Sequence, residues 1–150
     1  MRIVRAGAAH APAVADVYLR SRAAAGDAMP AGVHPDDDVR AHVAEVIVPQ
    51  RETWVATDAT GAVVGVLVLA DADLHWLFVV PEAQGGGVGS TLLTHAKSRR
   101  PDGLALWVFT SNEPARRFYV ARGFEVVGGT EGDNEEGAPD LRMAWRPAES

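Results

Sequence analysis

Hydrophobic and polar residues alternate along the chain with two periods, one typical of strands and one typical of helices. Short apolar runs bounded by glycine, proline or aspartate predict strands. These runs cover residues 2–5, 53–57, 63–69, 74–80, 104–109, 124–127 and 141–145. Apolar residues spaced three and four positions apart predict amphipathic helices, each ended by a glycine or a proline. The helices begin near Pro12, Asp36, Val88 and Asn112.

The order of these elements predicts how some of them pair. Residues 74–80, the helix that follows and residues 104–109 form a strand, a helix and a strand. This succession predicts a right-handed crossover and a parallel pair of strands. Asp58-Ala59-Thr60-Gly61 separates two apolar runs and predicts a hairpin. Since 150 residues match the usual size of one domain, residues 1–150 are expected to form a single domain.

Three further expectations concern burial and loops. Residues 104–109 are apolar in both alternations, which predicts a strand covered on both faces. The strand tryptophans Trp54, Trp76 and Trp107 are accordingly expected in the core rather than as platforms for a ligand. The glycine-rich, acidic stretch from Gly128 to Pro139 is expected to be a mobile loop.

Composition and charge narrow the class of protein. The chain is 47% hydrophobic and 23% charged, which is ordinary for a globular domain. Its net charge of -6 argues against broad nucleic-acid binding and favours cationic small partners. The absence of cysteine excludes a protein thioester intermediate. No apolar run is long enough for a membrane span, and the first residues lack a signal-peptide core, so a cytoplasmic protein is expected.

The most informative stretch is the glycine-rich segment between the strand at 74–80 and the next helix. Glycines at this junction allow an anion to approach backbone N–H groups at the positive end of the helix dipole. A Walker loop is disfavoured because Gly89 is followed by Ser90-Thr91, with no lysine. A dinucleotide fingerprint is disfavoured because the third glycine is missing. Another phosphate-bearing ligand is therefore expected.

Two motifs resemble those of the GCN5-related N-acetyltransferases. The segment from Gln84 to Gly89 matches the coenzyme A pyrophosphate signature of that family, and Val79-Val80-Pro81 matches the exit of its preceding strand. The segment from Asn112 to Phe124, with an alanine, a Phe-Tyr pair and Gly-Phe at family spacings, resembles the region after the fifth strand. The motifs occur in the family's order, and together with the predicted elements the likeness spans most of the chain.

The resemblance implies a fold, a donor and a set of binding residues. The implied fold is an α/β (α+β) acyl-CoA N-acyltransferase fold: a mixed, mostly antiparallel sheet with one parallel pair, flanked by about four helices. The implied activity moves acetyl from acetyl-CoA to a primary amine by direct attack in a ternary complex. The implied acetyl-CoA-binding residues are Phe78, Val79, Val80, Gln84, Gly85, Gly86, Gly87, Val88, Gly89, Ser90, Asn112, Ala115 and Tyr119.

The resemblance places Tyr119 beside the thioester, where its hydroxyl could protonate the departing sulfur; a tyrosine packed on one helical face is the alternative. A backbone N–H near Phe78 or Val79 would bind the oxyanion. Asn112 could cap its helix, contact the pantetheine arm, or do both. Strand alternation puts Asp73, His75, Leu77 and Val79 on one face, so His75 is a candidate base; a histidine hydrogen-bonded at a strand edge is the alternative.

The acceptor is left open among polyamines, aminoglycosides, lysine side chains and protein N-termini. By resemblance, the loop containing His34 walls the acceptor pocket, with Asp36, Asp37 and Asp38 nearby, although acidic residues also suit the start of a helix. No metal-ligand spacing is present, so no metal is expected. Exposed strand edges would permit a homodimer. The competing hypotheses are a non-catalytic acyl-CoA sensor or interaction module and a loop for another nucleotide.

Overall fold

A computed structural model describes residues 1–148. Within them, seven strands form one sheet: β1 (Arg2–Arg5), β2 (Glu52–Thr57), β3 (Val63–Ala70), β4 (Asp73–Val79), β5 (Leu104–Phe109), β6 (Glu125–Thr130) and β7 (Asp140–Trp145). The α-helices are α1 (Ala11–Ala25), α2 (Asp36–His42), α3 (Val48–Gln50), α4 (Val88–Arg99) and α5 (Glu113–Val120). A π-helical turn, Val43–Ile47, joins α2 and α3.

The sheet is mixed, and one interface in it is weak. Its strand order is β1-β2-β3-β4-β5-β7-β6, and β4–β5 is the parallel pair among antiparallel neighbours. This confirms the predicted fold class and the predicted parallel pair. Within the described chain β4 and β5 pair at a single position, Asp73 with Ala105. Both strands continue in the same direction from that position without pairing again in residues 1–148, so the sheet splits beyond it.

Helices cover the two faces of the sheet unequally. On one face α4 and α5 pack over a core that includes Leu67, Leu92, Leu106, Tyr119 and Met143. On the other face α1 and the helical segment from α2 to α3 pack over a second core, which takes its sheet residues from β1 to β4. The half of the sheet formed by β5, β7 and β6 contributes no residue to this second core within residues 1–148.

This unequal cover corrects the expectation that β5 is buried on both faces. Leu104, Leu106 and Val108 are buried under α4 and α5. Trp107 points the opposite way and is 53% exposed, because no helix lies over β5 on that face in the described chain. The expectation that Trp107 is a core residue was therefore wrong, whereas Trp54 and Trp76 do pack against the two cores.

A β-bulge corrects the predicted alternation in β4. The β3–β4 register runs from Val68↔Trp76 directly to Leu69↔Leu74, so His75 is an extra residue in β4. Leu74 consequently packs on the same face as Leu77 and Val79. The prediction that His75 shares that face by simple alternation was wrong, because a bulge shifts the alternation by one residue.

The stretch from Gly128 to Pro139 is also more ordered than expected. Its first three residues belong to β6, which ends at Thr130. In the remaining loop Asn134 donates from Nδ2 to the Ala138 carbonyl at 2.7 Å and to Asp140 Oδ2 at 3.1 Å. These bonds hold the loop, residues 131–139, against the start of β7.

Candidate active site

The split between β4 and β5 opens into a cavity. The cavity has a volume of about 840 Å³. Its walls come from β4, β5, α1, α2, α5 and the loops at 26–35 and 131–139. It therefore lies between the two cores and is in contact with elements from both faces of the sheet.

The glycine-rich segment lies at the carboxyl end of β4, as predicted. Gly85 and Gly87 have φ values of +83° and +87°, which residues with a Cβ rarely adopt. Gly87 directly precedes the first residue of α4. Thr91 N–H is the first of the helix to find a main-chain acceptor, the Gly87 carbonyl at 3.0 Å. Within residues 1–148 the preceding N–H groups of Val88, Gly89 and Ser90 have no main-chain acceptor. N–H groups of this kind, at the start of a helix, are suited to bind an anion.

Two side chains brace this helix start. Gln84 donates from Nε2 to the Val79 carbonyl at 3.0 Å, which ties the loop back to the end of β4. Arg122 donates to Ser90 Oγ from Nη2 at 2.6 Å and from Nε at 3.2 Å. Its guanidinium carbon lies 3.8 Å from the centre of the Phe118 ring. A positive charge is thus fixed beside the first turn of α4, a feature that the family motif does not indicate.

The N–H groups of β4 point alternately toward β3 and toward the split, so the residues predicted to bind acetyl-CoA do not all face the split. Val80 N–H donates to the Val64 carbonyl in β3 at 2.9 Å. Since successive residues of a strand point their N–H groups to opposite sides, Phe78 also faces β3, whereas Leu77 and Val79 face the split. Val80 itself is buried under α1. Of the two N–H groups expected to bind the oxyanion, Val79 points into the split and Phe78 does not.

Tyr119 lies on the inner side of α5 and lines the cavity. It is 8% exposed, and its ring packs at 5.2 Å from both Phe118 and Phe124. Burial raises the pKa of its hydroxyl above the ordinary value of 10.0, so the group is protonated at neutral pH. No hydrogen-bond partner for this hydroxyl is present in residues 1–148. The side chain is both a core residue, as the alternative interpretation held, and a potential proton donor at the cavity wall.

His75 lines the same cavity from the bulge in β4. His75 is an exposed residue. Partial desolvation, followed by the positive charges of Arg51 and His42, nevertheless lowers its pKa to about 4. The imidazole is therefore neutral at pH 7 and has a lone pair, although it is a weaker base than an unperturbed histidine.

Asn112 and Ala115 complete the wall near Tyr119. Asn112 caps α5, since its Oδ1 accepts from the Ala115 N–H at 3.3 Å. Its Nδ2 lies 3.3 Å from Met29 Sδ, and Ser111 Oγ donates to the Ala28 carbonyl at 2.9 Å. The predicted cap is confirmed, and the start of α5 is tied to the loop after α1.

The opposite mouth of the cavity is formed by the loop after α1 and the loop at 131–139. His34 Nε2 lies 2.9 Å from Glu135 Oε2, and Arg22 Nη2 lies 3.6 Å from Glu136 Oε1. His34, Glu135 and Glu136 all line the cavity, so the predicted acceptor-side histidine does reach it. Sequence reasoning missed Glu135 and Glu136, which are separated from His34 by about a hundred positions.

Two further expectations concern metal ions and membrane spans. In residues 1–148 no three His, Cys, Asp or Glu side chains lie close enough together to hold a metal ion. The same residues include no helix with the length and apolar character of a membrane span. The expectations of a metal-free protein, a cytoplasmic location and a possible homodimer stay predictions.

A split parallel pair, a glycine-rich anion site at its carboxyl end and a cavity through the split are the features of an acyl-CoA acyltransferase domain. Residues 49–126 match the model of the acetyltransferase (GNAT) domain. The chain is 31% identical over 104 residues to the peptidyl-lysine N-acetyltransferase YiaC of Escherichia coli K12, and this match covers 69% of each protein. The chain belongs to the GNAT family of N-acetyltransferases.

A second curated relative and its structure resemble the chain as well. The peptidyl-lysine N-acetyltransferase YjaB of E. coli K12 is 37% identical over 86 residues. That alignment covers 57% of this chain and 58% of YjaB, so the chain spans less than two thirds of this relative in sequence. The solution structure of apo YjaB superimposes with a TM-score of 0.79 at 29% identity and covers 98% of each chain.

Proposed function

We propose that the protein transfers the acetyl group of acetyl-CoA to the ε-amine of a lysine by direct attack. The observation that carries this proposal is the cavity in the β4–β5 split. It has a protonated tyrosine on its wall and carboxylates at one mouth. The N–H groups of Val88 to Ser90, which have no main-chain acceptor in the described chain, follow the carboxyl end of β4, the strand that forms one of its walls. A thioester donor and a cationic acceptor could therefore meet inside it.

In this proposal the N–H groups from Val88 to Ser90 bind the pyrophosphate of acetyl-CoA, with Arg122 adding positive charge beside them. The pantetheine arm then follows the free edge of β4, where Leu77 and Val79 present backbone groups to the split. Leu77 also lines the cavity. We place the thioester carbonyl at the Leu77 N–H, since this donor faces the split and borders the cavity.

The chemical step needs a hydrogen-bond donor for the oxyanion and a proton donor for the departing sulfur. The neutral amine attacks the thioester carbon, a C–N bond forms, and the carbonyl oxygen becomes an oxyanion that the Leu77 N–H stabilises. The oxyanion then collapses to the amide carbonyl, the C–S bond breaks, and Tyr119 donates its hydroxyl proton to the departing sulfur of coenzyme A. The attacking nitrogen gives up its extra proton, which restores the Tyr119 hydroxyl. Because burial raises the pKa of Tyr119, the hydroxyl is protonated at the start of the reaction.

The amine must lose a proton before it attacks. A lysine amine has a pKa of about 10.4, so neutralising it at pH 7 costs about 4 to 5 kcal/mol. His75 is neutral at this pH and lines the cavity, so we assign it as the first acceptor of that proton, which then passes to solvent. Because its pKa is about 4, His75 does not keep the proton at neutral pH.

The acceptor is proposed as a lysine for two reasons. Glu135, Glu136 and Asp38 line the cavity and attract a cationic amine. The relatives YiaC and YjaB are named peptidyl-lysine N-acetyltransferases. Both observations support a lysine over a neutral or acidic acceptor.

The proposal is tested by thiol release from acetyl-CoA with and without a lysine peptide whose N-terminus is blocked. Release that depends on the peptide, with intersecting double-reciprocal plots when both substrates are varied, is the expected result for direct attack. Parallel plots would contradict a ternary complex. Binding of acetyl-CoA without amine-dependent release would instead identify a sensor.

A further inference from the structure

Trp107 is the one large aromatic residue among the exposed hydrophobic side chains of the described chain. It is 53% exposed and nevertheless lines the cavity. Its neighbours Leu106 and Val108 point to the opposite face, under α4 and α5. The indole therefore stands on the acceptor side of the split, on a part of β5 that no helix covers within residues 1–148. An exposed tryptophan in a cavity wall is typical of a binding contact.

The register of the split places Trp107 near the proposed reaction centre. Asp73 pairs with Ala105, and Trp107 lies two residues beyond that pair. Because His75 is a bulge residue, Leu77 lies three ladder positions beyond the same pair. The difference of one position corresponds to roughly 3 Å along the strands, so the indole and the Leu77 N–H lie at nearly the same level on opposite sides of the split.

Arg142 lies beside the indole, and Asp73 balances its charge. The guanidinium carbon of Arg142 lies 5.3 Å from the centre of the Trp107 ring. Arg142 is held there by Asp73, with contacts of 2.7 and 3.0 Å between their charged groups. Glu135 and Glu136 line the same cavity. A methylene stem ending in an amine fits such an aromatic wall near carboxylates.

Trp76 offers no comparable surface, although it also lines the cavity. Its ring is stacked on Tyr18 at 4.4 Å, and Phe78 packs edge-on to it at 5.9 Å. The His75 ring lies 5.7 Å from it, nearly parallel. These three rings already cover Trp76, whereas Trp107 remains half exposed.

We propose that Trp107 is the residue that selects for a long-stemmed amine: its indole packs against the methylene stem of the acceptor lysine. This inference rests on the proposed function and deepens it by naming the part of the acceptor that is recognised. It predicts that binding of a lysine, rather than the acetyl transfer itself, depends on the indole.

The test compares two blocked peptides that differ in one residue, a lysine or 2,3-diaminopropionate, whose amine has a single methylene. Trp107→Ala should raise the KM of the lysine peptide about tenfold, with kcat within about twofold, while the KM of the short amine stays unchanged. Trp107→Phe should recover most of the lysine affinity. Val126→Ala, an exposed apolar residue outside the cavity lining, is the matched control.

The result that overturns the inference is an unchanged lysine KM in Trp107→Ala, or an equal loss for both peptides together with weaker acetyl-CoA binding. Tryptophan fluorescence on adding the lysine peptide to the coenzyme A complex gives a second readout. A change present in the native protein and lost in Trp107→Phe supports the contact even if no acetyl transfer occurs, in which case only the proposed function fails. Acetyl transfer without any effect of Trp107 means that only this inference fails.

Discussion

Replacement of Ser90 by aspartate should weaken the binding of phosphate at the start of α4 without destabilising the helix. Ser90 is the third residue of α4, and its N–H has no main-chain acceptor in the described chain. A carboxylate in the first turn of a helix is favourable by about 0.3 to 1 kcal/mol. It would also take the place of Ser90 Oγ as the acceptor for Arg122. We therefore expect Ser90→Asp to keep or raise the free energy of unfolding.

The same carboxylate would repel the pyrophosphate. Two negative phosphate charges at about 6 Å from it cost ~1.4 kcal/mol in all at a dielectric constant of 80, and about four times as much at 20. The smaller value corresponds to a tenfold loss of affinity. Because salt screens exposed charges, we expect acetyl-CoA to bind ten to a hundred times more weakly.

Calorimetric titration with acetyl-CoA and urea unfolding of the same samples measure the two effects. Ser90→Asn is the matched control, since it has the shape of aspartate without its charge. If Ser90→Asp and Ser90→Asn bind acetyl-CoA equally well, the pyrophosphate does not bind at the start of α4, and the assignment of the glycine-rich loop is refuted.

Three further substitutions test other parts of the site. Tyr119→Phe should lower kcat at least tenfold while the acetyl-CoA Kd changes less than twofold, and an unaltered kcat would remove the hydroxyl from the mechanism. In the native protein kcat should decline as the pH falls through about 4, where His75 becomes protonated, and His75→Gln should lower kcat and abolish that decline; an identical pH profile would exclude His75. Gly65→Ala should lower the free energy of unfolding by about 1 to 3 kcal/mol in urea titrations and weaken acetyl-CoA binding, because its Cβ would lie 2.8 and 2.9 Å from Leu92 and Val88 of α4. Native stability and affinity in that variant would contradict close packing of α4 on β3.

Local patterns were sufficient to predict most elements and the helix start after the glycines. Apolar runs predict the strands, although β6 extends to Thr130, three residues beyond its run, and the helix start at Val88 follows from the glycines that precede it. The Asn112 cap follows from a short stretch of sequence, and the parallel β4–β5 pair follows from the succession of strand, helix and strand. The cap and the helix start depend on residues that are neighbours in the chain, and the pair depends on the order of the elements.

The acceptor side could not be predicted in the same way, because it depends on contacts between distant segments. The bulge at His75 is defined by the register of β4 against β3. The exposure of Trp107 depends on how far α1 and α2 extend across the sheet. The contact of His34 with Glu135 joins two loops, and neither loop has a pattern that indicates the other.

The central claim is that acetyl moves from acetyl-CoA to the ε-nitrogen of a lysine. The most direct measurement is mass spectrometry of a lysine peptide with a blocked N-terminus after incubation with the protein and acetyl-CoA labelled in its acetyl group. We predict that the label appears on the lysine ε-nitrogen, only when the protein is present, with one coenzyme A released for each acetyl group transferred. Binding of acetyl-CoA with no protein-dependent label on the peptide would contradict the account.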